Sequence, residues 1–242
     1  EVVRPIITSN ASKADAPRSL ITFGHAGTAD LRLTNITPDP DGTTFTINDR
    51  ETFRVPLTGA HNAANAAAVI AVARRLGLTR AEIETGLANA IGPEMRMQRT
   101  AIADVIFIND AYNANPESAL AAVKTFAEVF IKVEGIKRRV MVLGDMLELG
   151  DQGPDLHREL GDAVVECEAF DLVILVGPLS MFAGERIAKA FPAEAVVPFF
   201  DAGPANAAAI AALFKPGDLV LLKASRGTGL EHIITALSAA RK

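Results

Sequence analysis

Short runs in which apolar and polar positions alternate fill residues 19–57: Leu20-Ile21-Thr22-Phe23, Leu31-Arg32-Leu33-Thr34, Thr44-Phe45-Thr46-Ile47 and Thr52-Phe53-Arg54-Val55. The turn signals Asp39-Pro40-Asp41-Gly42 and Asn48-Asp49 lie between them, so the period of two predicts antiparallel hairpins. An alanine-rich apolar stretch then runs from Gly59-Ala60-His61-Asn62-Ala63-Ala64-Asn65 to about Leu76, where Gly77 is a helix stop. A second helix is expected over 79–90, because Thr79 with Glu82 three residues on has capping-box spacing.

After Ile91-Gly92-Pro93-Glu94-Met95-Arg96-Met97-Gln98 the rhythm changes, and the Gly-Pro pair marks a domain boundary at about residue 98. Continuously apolar strands are predicted at 105–108, 140–143, 172–176, 196–199 and 219–222. Helices are predicted between and after them at 117–133, 154–167, 181–190, 205–214 and 230–240. Strands of this kind separated by helices give a parallel sheet covered on both faces, a doubly wound α/β domain. The stretch over 1–18 is irregular and polar, and it receives no function.

Composition narrows the setting. With 242 residues, 49% hydrophobic and 22% charged, the chain can bury one large core or two small ones. A net charge of -5 gives no support for nucleic-acid binding, and Lys137-Arg138-Arg139 reads as a solvated strand edge. The single Cys167 excludes an internal disulfide and a thiolate metal cluster. No signal peptide or membrane span is read, so the expected location is cytoplasmic.

In a parallel sheet all carboxyl ends share one edge, so polar clusters that follow strands converge there. Three clusters carry chemistry: Asn109-Asp110-Ala111-Tyr112-Asn113-Ala114-Asn115-Pro116, Gly144-Asp145-Met146-Leu147-Glu148-Leu149-Gly150 and Lys223-Ala224-Ser225-Arg226-Gly227-Thr228-Gly229. The first is either an ordinary capped loop, with Pro116 opening a helix, or a site built from amides, a carboxylate and the chain's one tyrosine. The last offers a hydroxyl, a guanidinium and flexible backbone, suited to a carboxylate or phosphate. Asp145 and Glu148 have no histidine at ligand spacing, and Asp145 fits a helix cap. His157 and His232 read as surface or partner-bonding residues, whereas His61 sits beside two amides able to meet a purine edge. Neither a Gly-x-x-x-x-Gly-Lys-[Ser/Thr] loop nor a Gly-x-Gly-x-x-Gly fingerprint occurs.

These three clusters, with Gly59-Ala60-His61-Asn62-Ala63-Ala64-Asn65-Ala66 and Arg96-Met97-Gln98, make the chain resemble the Mur ligases, and among them the members that join D-alanyl-D-alanine to a UDP-N-acetylmuramoyl-tripeptide. The resemblance implies the C-terminal part of a central ATPase domain over 1–98 and a C-terminal Rossmann-like domain over 99–242. It implies ATP and Mg2+ as cofactors and those two peptides as substrates, in a monomer of peptidoglycan precursor synthesis. His61, Asn62, Asn65, Arg96 and Asp110 would hold ATP: Asn65 at the adenine, Arg96 at the phosphates, Asp110 at the ribose hydroxyls. Tyr112, Asn113, Asn115, Ser225 and Arg226 would face the dipeptide. The family's phosphate loop, magnesium ligands and carbamylated lysine are not in the chain, which is expected to be inactive alone. The competing expectation is a non-catalytic nucleotide- or peptide-binding module.

Overall fold

The structure, a computed structural model, describes residues 20–240, so the irregular stretch over 1–18 lies outside it. The chain forms two compact units, one through Ile91 and one from Gly92.

In the first unit a four-stranded sheet has the order β1 (Phe23–Gly24), β2 (Leu31–Asp39), β3 (Gly42–Ile47), β4 (Glu51–Val55). The β2–β3 and β3–β4 pairs are antiparallel as the alternation predicts, but β1 runs parallel to β2. The difference is local: β1 is only two residues long, and Thr22 and Asp30 hold its approach to β2 through mutual hydrogen bonds. Helices α1 (Ala60–Arg75) and α2 (Arg80–Ala88) cover one apolar face, where Phe45, Ile47 and Phe53 meet Ala67, Ile70, Ile83 and Leu87. Thr79 and Glu82 form the expected capping box, with the Thr79 amide 2.8 Å from the Glu82 carboxylate.

The second unit is a six-stranded sheet in the order β5-β6-β10-β7-β8-β9. Its strands are β5 (Gln98–Ile102), β6 (Val105–Asp110), β7 (Arg138–Gly144), β8 (Leu172–Val176), β9 (Val196–Phe199) and β10 (Asp218–Lys223). All pairs are parallel except β5–β6. Strand β5 is absent from the sequence expectation because Gln98-Arg99-Thr100-Ala101-Ile102 is largely exposed at the sheet edge and shows no apolar alternation. Its hairpin turns on Ala103 and Asp104, both at positive φ, without the Asn-Gly pair that usually signals such a turn.

Helices α3 (Pro116–Glu128), α4 (Gly153–Glu166) and α5 (Ser180–Ile187) pack on one sheet face, around Phe126, Met141, Leu160 and Val173. Helices α6 (Pro204–Ala212) and α7 (Glu231–Ala240) cover the other, around Phe107, Val142, Ile210 and Leu237. This is the doubly wound arrangement that the strand and helix rhythm predicts. The chain leaves β6 for α3 on one face and β10 for α7 on the other, so a crevice opens at the carboxyl ends of these neighbouring strands. The basic run before β7 is not simply solvated. Arg138 makes a bidentate pair with the buried carboxylate of Asp218, at 3.0 and 2.6 Å, because the parallel register brings those two strand starts together.

Candidate functional site

Parallel register aligns Lys223, the last residue of β10, with Asp110, the last of β6. The Lys223 ammonium is 2.6 Å from Asp110 Oδ2 and donates also to the Asn113 carbonyl at 2.9 Å. Its side chain is 2% exposed and that of Asp110 15%, so the pair lies largely out of water. Asp110 Oδ1 accepts the Met97 amide at 3.0 Å. The carboxylate therefore ties the segment before β5 to both strands, and one further lone pair on each oxygen stays available to a donor.

Tyr112 is exposed at this rim, and two guanidiniums lie against its ring, Arg96 at 4.6 Å and Arg226 at 5.5 Å from the centroid. Among the described residues neither arginine has an ion-pair partner. Two unpaired cations over one aromatic ring make a positive, partly apolar surface that suits an anionic ligand with small apolar groups. Asn113 is exposed beside them.

Two other expected site residues are engaged internally. Asn115 is the cap of α3, its Oδ1 accepting the Ser118 amide at 2.8 Å, which leaves its amide nitrogen to meet a ligand. Ser225 is buried. Its hydroxyl accepts the Leu147 amide at 3.0 Å and donates to the Ala114 carbonyl at 3.2 Å, so it braces the loops after β6, β7 and β10 rather than facing the crevice. Asn109, also buried, accepts the Ala111 amide at 3.2 Å and shapes the same loop.

The β7 loop is held from within. Asp145 caps a helix, though a distant one, because Oδ1 accepts the Ser180 amide of α5 at 2.7 Å. Burial pushes its carboxyl above the ordinary range, against the opposing pull of the Ser180 amide, His157 and the Leu179 amide. Gly177, at φ +108, lets that carboxylate pass, since a Cβ there would stand 2.5 Å from it. His157 is fully buried rather than at the surface. Its Nε2 accepts the Met146 amide at 2.9 Å, so Nδ1 carries the proton and donates to the Gly153 carbonyl at 2.6 Å. Burial holds the imidazole below its usual value, with the Gly153 bond and Asp145 opposing.

In the first unit, His61 and Asn65 are exposed and Asn62 half-buried on the first turns of α1. Asn62 Nδ2 donates to the Thr58 carbonyl at 3.0 Å, and Asn65 Nδ2 reaches Asn62 Oδ1 at 3.4 Å. Gly59, at φ +119, admits the His61 ring where a Cβ would meet it at 2.7 Å. Among the described residues no three His, Cys, Asp or Glu side chains gather in a metal-binding group. Among the same residues no helix is long and apolar enough to cross a membrane.

Lys223 is the site residue for which the sequence offered no role. Its signal was an ionisable residue ending the apolar run Leu219-Val220-Leu221-Leu222, where another aliphatic residue would be expected.

Residues 95–226 match the model of the Mur ligase glutamate ligase domain, and residues 4–73 that of the Mur ligase middle domain. The UDP-N-acetylmuramoyl-tripeptide–D-alanyl-D-alanine ligase of Bacillus subtilis is 36% identical over 218 residues, covering 89% of this chain and 46% of that protein. The Escherichia coli ligase of the same name is 36% identical over 160 residues, covering 64% of this chain and 34% of that one. A crystal structure of MurF from Acinetobacter baumannii superposes with a TM-score of 0.76 at 30% identity, over 90% of this chain and 46% of that one. The chain thus spans about half the length, or less, of these relatives. With a family model covering more than half of its residues and the same fold in a solved relative, this chain belongs to the Mur ligase family.

Proposed function

We propose that the chain forms part of an ATP-dependent ligase that joins D-alanyl-D-alanine to a UDP-N-acetylmuramoyl-tripeptide in peptidoglycan precursor synthesis. The observation that carries the reading is the pair of unpaired guanidiniums, Arg96 and Arg226, against Tyr112 at the carboxyl edge of the sheet. In the reaction, ATP phosphorylates the tripeptide carboxylate, and the dipeptide amine displaces phosphate through a tetrahedral intermediate. An amine attacking an acyl phosphate needs alignment and charge neutralisation more than a strong base.

Arg96 suits the phosphates, and Asp110 retains lone pairs for the ribose hydroxyls while it holds Met97 and Lys223. His61, Asn62 and Asn65 present amide and imidazole groups suited to the adenine. Arg226 suits the terminal carboxylate of the dipeptide, with Tyr112, Asn113 and the Asn115 amide alongside, while Ser225 acts by holding the loops. Mg2+, when bound, would neutralise phosphate charge. The 242-residue chain alone is proposed not to ligate, since it carries no Gly-Lys-[Ser/Thr] phosphate loop.

The test is phosphate release by the longer protein that contains this sequence, with ATP, Mg2+, UDP-N-acetylmuramoyl-tripeptide and D-alanyl-D-alanine. Turnover that requires all three substrates supports the ligase. ATP-independent binding of a nucleotide or peptide with no product formed favours the non-catalytic module instead.

A further inference from the structure

We propose that Lys223 is a positioning residue: its buried ammonium, through Asp110, fixes where Arg96 stands relative to Tyr112 and Arg226. Taking an ammonium out of water costs several kcal/mol, and an aliphatic side chain at such a place is often no worse for stability. Between Asp218, which pairs with Arg138 at the start of strand β10, and Lys223 at its end, the strand is Leu and Val only. A charge kept where the apolar pattern would continue calls for a geometric reason, and the hydrogen bonds supply one.

Lys223 holds Asp110 Oδ2, and Asp110 Oδ1 holds the Met97 amide at 3.0 Å. On the other side of Arg96, the Met95 carbonyl accepts the Tyr112 amide at 3.1 Å. The backbone of Arg96 is thus fastened on both flanks to the end of β6 and its loop. Met95 and Met97 both adopt left-handed backbone, at φ 58 and φ 50. Non-glycine residues keep such a conformation only where the surroundings enforce it. Lys223 also holds the Asn113 carbonyl, so one ammonium sets both the Tyr112 loop and the Arg96 segment. Removing it frees the carboxylate that anchors Met97, and Arg96 loses its place over the ring.

The chain has one tyrosine and no tryptophan, so its ultraviolet emission reports Tyr112 alone. Iodide, a small anion, accumulates beside paired cations and quenches nearby aromatic emission. In the 242-residue chain, Lys223→Met is expected to lower the iodide quenching constant about threefold or more, with cooperative unfolding and far-ultraviolet dichroism retained. Arg96→Ala provides the reference for that loss. A folded Lys223→Met chain with unchanged quenching would overturn the proposal, because a merely structural role lowers stability without moving a guanidinium. If Lys223→Met does not fold, Asp110→Asn is read in the same way, since it keeps the shape and weakens the Lys223 bond. Failure of both to fold would make the pair structural and would equally overturn the proposal.

Only the kinetic consequence rests on the nucleotide reading above. In the complete ligase, Lys223→Met should raise the KM for ATP about tenfold, a loss of about 1.4 kcal/mol in binding. Altered quenching with an unchanged KM for ATP would count against that reading of Arg96 and leave the positioning role standing.

Discussion

Asp110 and Lys223, 113 positions apart in the chain, end adjacent parallel strands with carboxylate and ammonium 2.6 Å from each other. The pair turns a polar loop into a tied corner. Losing Asp110 strands a buried ammonium, so Asp110→Ala should cost about 3–5 kcal/mol in urea unfolding. Lys223→Met should cost less, because Asp110 is nearer to water. The double variant Asp110→Ala with Lys223→Met should recover at least half of the Asp110→Ala loss, and strictly additive losses would argue against a coupled pair.

Asn115 separates capping from ligand binding. Its Oδ1 closes the first turn of α3, so Asn115→Ala should lower stability by about 1 kcal/mol. Asn115→Asp keeps the acceptor and adds favourable charge at the helix start, so it should unfold at or above the wild-type urea midpoint. Because Asp lacks the amide donor, any rise in dipeptide KM for Asn115→Asp isolates the ligand role.

Ser225→Ala removes two bonds that join three loops, to the Leu147 amide and the Ala114 carbonyl. The expected loss is about 1–3 kcal/mol. Amide exchange at Leu147 should quicken more than exchange within β7, since the strand ladder remains intact. Equal protection at both positions would show that the hydroxyl does not hold the loop.

His157 predicts a pH dependence whose sign follows from burial. The folded imidazole is held below its ordinary 6.5 chiefly by burial, so on acidification the unfolded chain takes up that proton first. Unfolded protein then binds more protons than folded protein, and stability falls as pH drops below about 6.5. Asp145 acts in the opposite sense, because its folded value is raised above the ordinary 3.8 and the folded state protonates first. His157→Gln should therefore be less stable than wild type at pH 7.5. Between pH 6.5 and 4.5 its urea midpoint should stay level or rise. A variant that keeps the wild-type decline would assign the dependence to another group.

Much of the architecture was legible because each signal was strong and local. Apolar runs over residues 172–176 and 219–222 specify buried parallel strands, and Thr79 with Glu82 specifies a helix start. Strand β5 was not legible, because an exposed edge imposes no alternation and its turn uses Ala103 and Asp104. Within the site, the loops themselves could be read from strand ends, and Arg96, Asp110, Tyr112 and Arg226 do gather in one unit. The partners of Asp110 and Ser225 were hidden, since they depend on strand order and register, which place β10 between β6 and β7. Of the two readings of His157, surface or partner-bonding, the structure shows the second, and the sequence could not choose: helical periodicity says which face it is on, while its burial follows from packing against the β7 loop.

The account stands most directly on which ligand Arg226 serves. In the complete ligase, initial rates for Arg226→Ala should show the KM for D-alanyl-D-alanine raised about tenfold or more, the loss of one charge-assisted carboxylate contact, with the KM for ATP within about twofold of wild type. An unchanged dipeptide KM, or a loss confined to ATP, would contradict the assignment of this rim to the incoming peptide.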